Sequence, residues 1–352
     1  MRKLASLLIA LTLVWSVLLA APAAAEEQKL KVYASFYPMY DFASKVGGDK
    51  VQVVNMVPSG MEPHDWEPEA ADVIGLENAD IFVYNGAGME HWVDKVLAAL
   101  SNQSLIVVNT SEGQTLLEGH HHDHDEDHEH DEDEDHEHDE DEDHEHAEDE
   151  DHEHDEDEGH DEDEDHEHEQ DEDHEHDHGE FDPHVWLGPL NAKAQMEAIK
   201  NAFVVADPDN ASYYEDNYAR YATEFDALDA EFSAALNPLP NKQIVVSHQA
   251  FGYLCAAYGL TQESIEGLAP DSEPDPARMA EIIEFVKDNG ITTIFFEELV
   301  SPKVAETIAS ATGAVTAVLS PVEGLSDEQL ANGGDYFSVM RENLAALVKA
   351  LQ

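Results

Sequence analysis

One stretch sets the limits on what this chain can fold into. Residues 120–178 form a 59-residue block of 38 Asp or Glu and 18 His, with only Ala147, Gly159 and Gln170 besides. Almost nothing in it is apolar, so it cannot bury a core, and its composition predicts disorder. The folded part must come from the chain on either side. The whole sequence of 352 residues carries 80 acidic against 16 basic residues, a net charge of −64. Outside the block 42 acidic and 16 basic residues remain, a net charge of −26, along with four His. What is left, about 290 residues, is enough for two modest lobes with cores of their own.

Several classes are excluded at this point. No basic patch offers itself to nucleic acid, and the net charge repels a phosphate backbone. The single cysteine, Cys255, allows neither an intramolecular disulfide nor a cysteine-held metal cluster. Its apolar helical setting predicts a buried thiol.

Arg2 and Lys3 precede an apolar run over 4–20, which Ala21-Pro22 and Ala23-Ala24-Ala25 follow. This pattern predicts a cleavable signal peptide over 1–25, a mature chain from Glu26 and a periplasmic location. No cysteine stands near the cleavage site, so no N-terminal lipid anchor is expected. No later segment nears the ~18 apolar residues of a membrane span, so no stable membrane insertion is expected either.

Along the mature chain, short β-rich runs alternate with helical patterns. Strands are predicted over 29–36, 51–57, 81–84 and 105–108, with helices over 39–46, 68–78, 90–100 and 191–205. The stretch 211–236 has no Gly or Pro, and its apolar positions step by three or four, so it predicts one helix of about 40 Å. Beyond it strands are predicted over 243–247, 262–266, 292–296 and 315–319, and helices over 251–258, 276–289, 303–312 and 336–351. The fold class is therefore α/β: two lobes of βαβ units with parallel sheets, joined by a long helix. The expected boundaries are 26–208 for the first lobe, carrying the 119–180 insert, 209–237 for the connecting helix and 238–352 for the second lobe. Ligands of such sheets bind beyond the carboxyl ends of the strands.

Three of the four histidines outside the insert lie there. His64 follows the second strand, His184 follows the insert, and His248 ends the first strand of the second lobe. His91 opens a helical turn and needs no metal. Three imidazoles and a carboxylate close a tetrahedral zinc site. Asp335 is the candidate carboxylate, but Asp after Gly333-Gly334 and before an apolar helix is equally a good N-cap. Glu62 is a weaker alternative.

At these residues the sequence resembles the metal-specific solute-binding proteins of ABC importers, of the zinc-uptake receptor type with a His-rich loop. The resemblance rests on Glu62-Pro63-His64-Asp65-Trp66-Glu67-Pro68, Asn78-Ala79-Asp80 and Asp182-Pro183-His184-Val185-Trp186. It rests also on Ser247-His248-Gln249-Ala250-Phe251-Gly252-Tyr253-Leu254 and on the run from Tyr336 to Leu344. It covers nearly the whole mature chain outside the insert. It implies two lobes on a rigid connecting helix and one metal in the cleft, held by His64, His184, His248 and Asp335. In some zinc receptors of the family the residue before the first His is a ligand carboxylate; here it is Pro63. The manganese receptors usually carry Glu where this chain has His248, and a nitrogen-rich site suits zinc, so Zn²⁺ is the expected cargo and Mn²⁺ the alternative.

The function so implied is a periplasmic receptor that captures Zn²⁺, passes it to an ABC permease in the inner membrane and catalyses nothing. A monomer is expected. The insert repeats Asp-His-Glu-His about every eight residues and is read as an auxiliary low-affinity zinc-gathering or sensing arm near the cleft mouth. Its carboxylates raise the His pKa values, so protons compete with zinc as pH falls. Two rivals are a zinc hydrolase, disfavoured because no His-Glu-x-x-His helix is present, and a zinc-storage or chaperone protein.

Overall fold

The computed structural model describes residues 29–119, 181–268, 270, 274–299 and 301–352. The expected signal peptide, the likewise expected disorder and zinc-gathering role of the insert all fall outside these residues.

Two four-stranded parallel sheets organise the chain. The first takes β1 (Leu30–Ala34), β2 (Val51–Asn55), β3 (Ile81–Tyr84) and β4 (Ile106–Asn109) in the order β2-β1-β3-β4. Helices α1 (Tyr37–Gly47), α2 (Ala70–Glu77) and α3 (Val93–Ala99) connect them. The second takes β5 (Gln243–Val246), β6 (Thr261–Ser264), β7 (Thr293–Phe296) and β8 (Val315–Val318) in the order β6-β5-β7-β8. Its connections are α6 (Gly252–Tyr258), α7 (Pro276–Asp288) and α8 (Lys303–Thr312). Between the sheets run α4 (Pro189–Ala206) and α5 (Ala211–Leu236); α9 (Asp327–Ala331) and α10 (Tyr336–Leu351) close the chain. Both sheets follow one winding rule, stepping outward from the first strand and then back across it. Each thus reverses direction beside its first strand, where a crevice opens beyond the strand ends.

The elements match those the sequence predicts, with ends shifted by up to three residues; the helix expected over 90–100, for example, is Val93–Ala99. The short helix α9 lies where no helix is predicted. Its signal was present: Ser326 and Gln329 form a reciprocal capping box, the Ser-x-x-Gln pattern of a helix start.

The two lobes share a core, where the sequence suggested one for each. Helix α5 buries Tyr214, Phe225, Leu228, Phe232 and Leu236 in a continuous apolar cluster that includes residues of both sheets. Phe225 is its hub, with its ring 5.8 Å from Phe42 of α1, 5.6 Å from Tyr336 and 4.7 Å from Phe337 of α10. A smaller cluster of Val245, Ile265, Ile282, Ile294 and Ile308 fills the other face of the second sheet. Cys255 is buried as expected, and burial pushes its thiol up to about 12.

Directional bonds reinforce this joint. The indole Nε1 of Trp186, ahead of α4, donates to Pro321 O at 2.7 Å, and Tyr336 Oη donates to Trp186 O at 2.7 Å. Ser59 Oγ donates to Leu325 O at 2.5 Å. Tyr253 Oη of α6 accepts from Leu117 N and donates to Asp182 O, both at 3.0 Å. The sections of chain on either side of the insert thus form one compact unit, and the insert's flanks meet in an antiparallel bridge between Glu118 and Phe181. No helix of the described residues is long and apolar enough to cross a membrane.

Emptying the hub tests whether the core is shared. Phe225→Ala is expected to cost about 3–5 kcal/mol, and urea unfolding of the metal-free protein is expected to show one transition at lower denaturant. Two separated transitions would mean that the lobes unfold independently.

Candidate metal centre

Four side chains converge where the strand ends of the two sheets meet. His64 lies in the long loop after β2, His184 just before α4, His248 two residues after β5, and Glu323 in the loop after β8. His184 and His248 are fully buried, Glu323 nearly so, and His64 keeps only an edge open. His184 Nε2 lies 3.3 Å from His64 Nε2 and 3.2 Å from His248 Nε2. Glu323 Oε1 lies 3.1 Å from the Nε2 of His184, 3.5 Å from that of His64 and 3.6 Å from that of His248.

These spacings have a simple meaning. A tetrahedral zinc ion with bonds of about 2.0–2.1 Å sets its ligand atoms about 3.3–3.4 Å apart. Five of the cluster's six edges, at 3.1–3.6 Å, lie close to those of that tetrahedron.

The surroundings aim the ring nitrogens inward. Asp182 Oδ1 lies 2.8 Å from His184 Nδ1 and also accepts from His184 N at 2.9 Å. Glu297 Oε1, in the residue directly after β7, lies 2.6 Å from His248 Nδ1. A carboxylate at Nδ1 takes up an N–H and leaves the Nε2 lone pair facing the centre, which is how outer carboxylates orient metal-bound imidazoles. Gly252 makes room for this arrangement, because a Cβ there would run into the Asp182 carboxylate. A further chain of bonds supports the His184 segment from below. Glu90 accepts from Ser35 Oγ, Asn85 N and Gly86 N, and Asn85 Nδ2 donates to Pro183 O at 2.8 Å.

Charge follows the same layout. Burial pushes the His64 pKa down. It acts the same way on His184 and His248, but Asp182 and Glu297 respectively, each together with Glu323, outweigh it and hold both imidazoles above the ordinary value. Burial would raise Glu323, yet the three imidazoles bring it well below the ordinary carboxylate range. Glu62, the weaker alternative ligand, is pushed up to about 9 by burial and by repulsion from Glu323. Its Oε1 accepts from His64 N at 3.3 Å, so it braces the His64 loop.

Asp335 does not join the cluster. The resemblance points to it as the fourth ligand, whereas the structure brings Glu323 up to the three imidazoles. Asp335 caps α10: its Oδ1 accepts from Ser338 N at 2.9 Å, and its Oδ2 pairs with Lys45 Nζ at 3.0 Å. Both oxygens are committed elsewhere. Burial raises this carboxyl, but Lys45 and Ser338 hold it below its usual value. His91 stays out of the cluster, with its exposed ring 3.6 Å from Glu67.

Comparisons with known proteins identify the family. The family described as zinc-uptake complex component A, periplasmic (ZnuA), matches residues 32–350. The chain belongs to the ZnuA family. It is 36% identical over 323 residues to the high-affinity zinc uptake system protein ZnuA of Bacillus subtilis, which covers 92% of this chain and 88% of that protein. It is 36% identical over 321 residues to the zinc-binding protein AdcA of Streptococcus pyogenes, covering 91% of this chain but only 56% of AdcA. The chain thus spans about half the length of its streptococcal relatives. Among solved structures, the Zn(II)-bound ZnuA-like domain of Streptococcus pneumoniae AdcA superposes with a TM-score of 0.70 at 33% identity, over 92% of this chain and 99% of that one. ZnuA proteins are zinc-binding solute receptors of ABC-type importers, and the cluster of three His and one Glu could hold such an ion.

Two substitutions separate the roles. Glu297→Gln is expected to weaken zinc binding by about 10- to 100-fold, the usual cost of losing an outer-sphere partner, as read by competition with a chelator. Asp335→Ala is expected to leave that affinity within about twofold while removing a cap worth about 0.5–2 kcal/mol, seen as a lower melting temperature. A hundredfold loss of affinity in Asp335→Ala would restore it as a ligand.

Proposed function

We propose that this ZnuA-family chain is an exported zinc receptor in which His64, His184, His248 and Glu323 together hold one Zn²⁺ for delivery to an ABC permease. The observation that carries the reading is the set of ligand-to-ligand distances, 3.1–3.6 Å over five of the six edges and so close to those of a tetrahedral zinc shell. Three nitrogens and one oxygen favour zinc over manganese, which prefers oxygen-rich shells. Four protein ligands leave no open position for a metal-bound water, so the site is built to carry an ion and not to hydrolyse a substrate. In this reading the segment over 1–25 is removed on export, and the mature protein acts as a soluble monomer in the periplasm. The His/Asp/Glu-rich insert gathers or senses zinc at lower affinity, its repeated His-x-His pairs supplying ligands that an ordinary solubilising tract would not need.

Zinc titration of the untagged protein tests both parts. One tight equivalent is expected, with several weaker ones that disappear when residues 120–178 are deleted. Zinc is also expected to stabilise the protein by linkage, by about 2.7 kcal/mol at a hundredfold excess over Kd, seen as a higher melting temperature, and to displace manganese in competition. Unchanged stoichiometry after the deletion would end the gathering role; tighter binding of manganese would end the zinc assignment. A cell lacking the protein is expected to grow poorly when zinc is scarce, whereas a storage protein would leave that growth intact.

A further inference from the structure

The segment that carries Glu323 is held in a shape that its sequence resists. Val322 has a φ of 59°, in the left-handed region where a Cβ crowds the following carbonyl and a β-branched side chain is a true outlier. The other described non-glycine residue with positive φ, Ala87, sits between Gly86 and Gly88, whose own φ values are 82° and 90°. Val322 has no such relief. It is fully buried and directly precedes the candidate ligand.

What holds it there is visible. Trp186 Nε1 binds Pro321 O, and Ser59 Oγ binds Leu325 O. These two bonds reach across from the first lobe and bracket Glu323, each two residues from it. On the second lobe's side, Asn343 exchanges two hydrogen bonds with the Ser320 backbone, at 2.9 and 2.7 Å, and Val322 N donates to Ser320 Oγ at 3.2 Å. Trp186 lies two residues past His184, and Ser59 lies five before His64. The segments that bring in two of the imidazoles therefore also clamp the carboxylate. Among the described residues, the carboxylate's polar contacts are the three imidazoles alone, with its Oε1 3.1–3.6 Å from their Nε2 atoms. Beside it lies a cavity of about 400 Å³, lined in part by Tyr37, Tyr40, Val57, Ser59 and Leu330, which leaves room for a different position of the side chain.

We propose that Val322 is a positioning residue of the metal centre: clamped left-handed by Trp186 and Ser59, it aims Glu323 at the three imidazoles and relaxes, withdrawing the carboxylate, when the ion leaves. This rests on the four-residue zinc site proposed above. It makes the lobe-to-lobe clamps and the fourth ligand a single device. Separating the lobes frees Pro321 and Leu325, lets Val322 return to negative φ, and removes the oxygen ligand before any imidazole is lost.

The test compares Val322→Ala with Val322→Gly in the full chain, each with and without Glu323→Ala. Both substitutions remove the same branched side chain, but only alanine keeps the Cβ that opposes a left-handed backbone. Zinc affinity is read by chelator competition, and stability by thermal melting without metal. Val322→Gly is expected to bind zinc about tenfold more tightly than Val322→Ala, the cost of one left-handed Cβ. Without metal it is expected to melt no higher than Val322→Ala, because the relaxed segment does not need the left-handed shape. Glu323→Ala is expected to erase the tenfold gap. Equal affinities of the two Val322 variants, combined with a higher metal-free melting temperature for glycine, would overturn the proposal, since Val322 would then be left-handed with or without zinc. A gap that survives Glu323→Ala would overturn it too. If Glu323→Ala alone binds zinc as tightly as the unaltered protein, the ligand set itself is wrong and the proposal falls with it. If Glu323→Ala loses zinc while the two Val322 variants bind alike, the ligand set stands and only the role of Val322 is refuted.

Discussion

Ring nitrogens that point their lone pairs at one another, with a buried carboxylate beside them, repel unless a cation lies among them. Most of the polar architecture at the cleft serves that constraint. Asp182 and Glu297 fix two imidazoles from behind. Glu62 braces the His64 loop, and Glu90, through Asn85, braces the His184 loop. Each of these carboxylates occupies a place where an apolar side chain would pack more cheaply. Their cost is borne by the large apolar joint between the lobes, where Phe42, Phe225, Trp186, Tyr336 and Phe337 interlock.

That joint also explains why one centre can be assembled from both ends of the chain. The matching strand orders bring the carboxyl ends of two sheets towards a common space, and helix α5 ties them to one core. His64 and His184 arrive from one sheet, His248 and Glu323 from the other. A loose hinge would leave the distances between them undefined. The Trp186, Ser59, Tyr253 and Tyr336 hydrogen bonds limit that freedom.

Much of this was legible in the residues. Strand and helix alternation gave the parallel sheets, the unbroken periodicity over 211–236 gave α5, and histidines beyond strand ends gave three members of the cluster. The carboxylates were harder to read, for a physical reason. Outside the insert the chain has 42 acidic residues, and a carboxylate has no periodic signature to tell a ligand from a cap. Asp335 fits both descriptions, and in the structure it caps α10. Glu323 lies in Pro321-Val322-Glu323-Gly324, which reads as an ordinary turn; only its place after β8, at a strand end like the histidines, pointed to it. Glu297, directly after β7, carries the same positional cue, but it acts through His248 and not directly, a partnership no local pattern reveals. Side-chain partnerships across lobes, such as Trp186 with Pro321, leave no trace in local sequence at all.

The bridge between Glu118 and Phe181 bears on how such a chain can vary between relatives. It joins the two flanks of the insert by their own backbones, and the next residue, Asp182, already belongs to the metal centre. The register of His184 is therefore set locally and is indifferent to how much chain intervenes. This position works as a splice point: the length of chain between Glu118 and Phe181 can change without the centre that begins at Asp182 having to be rebuilt.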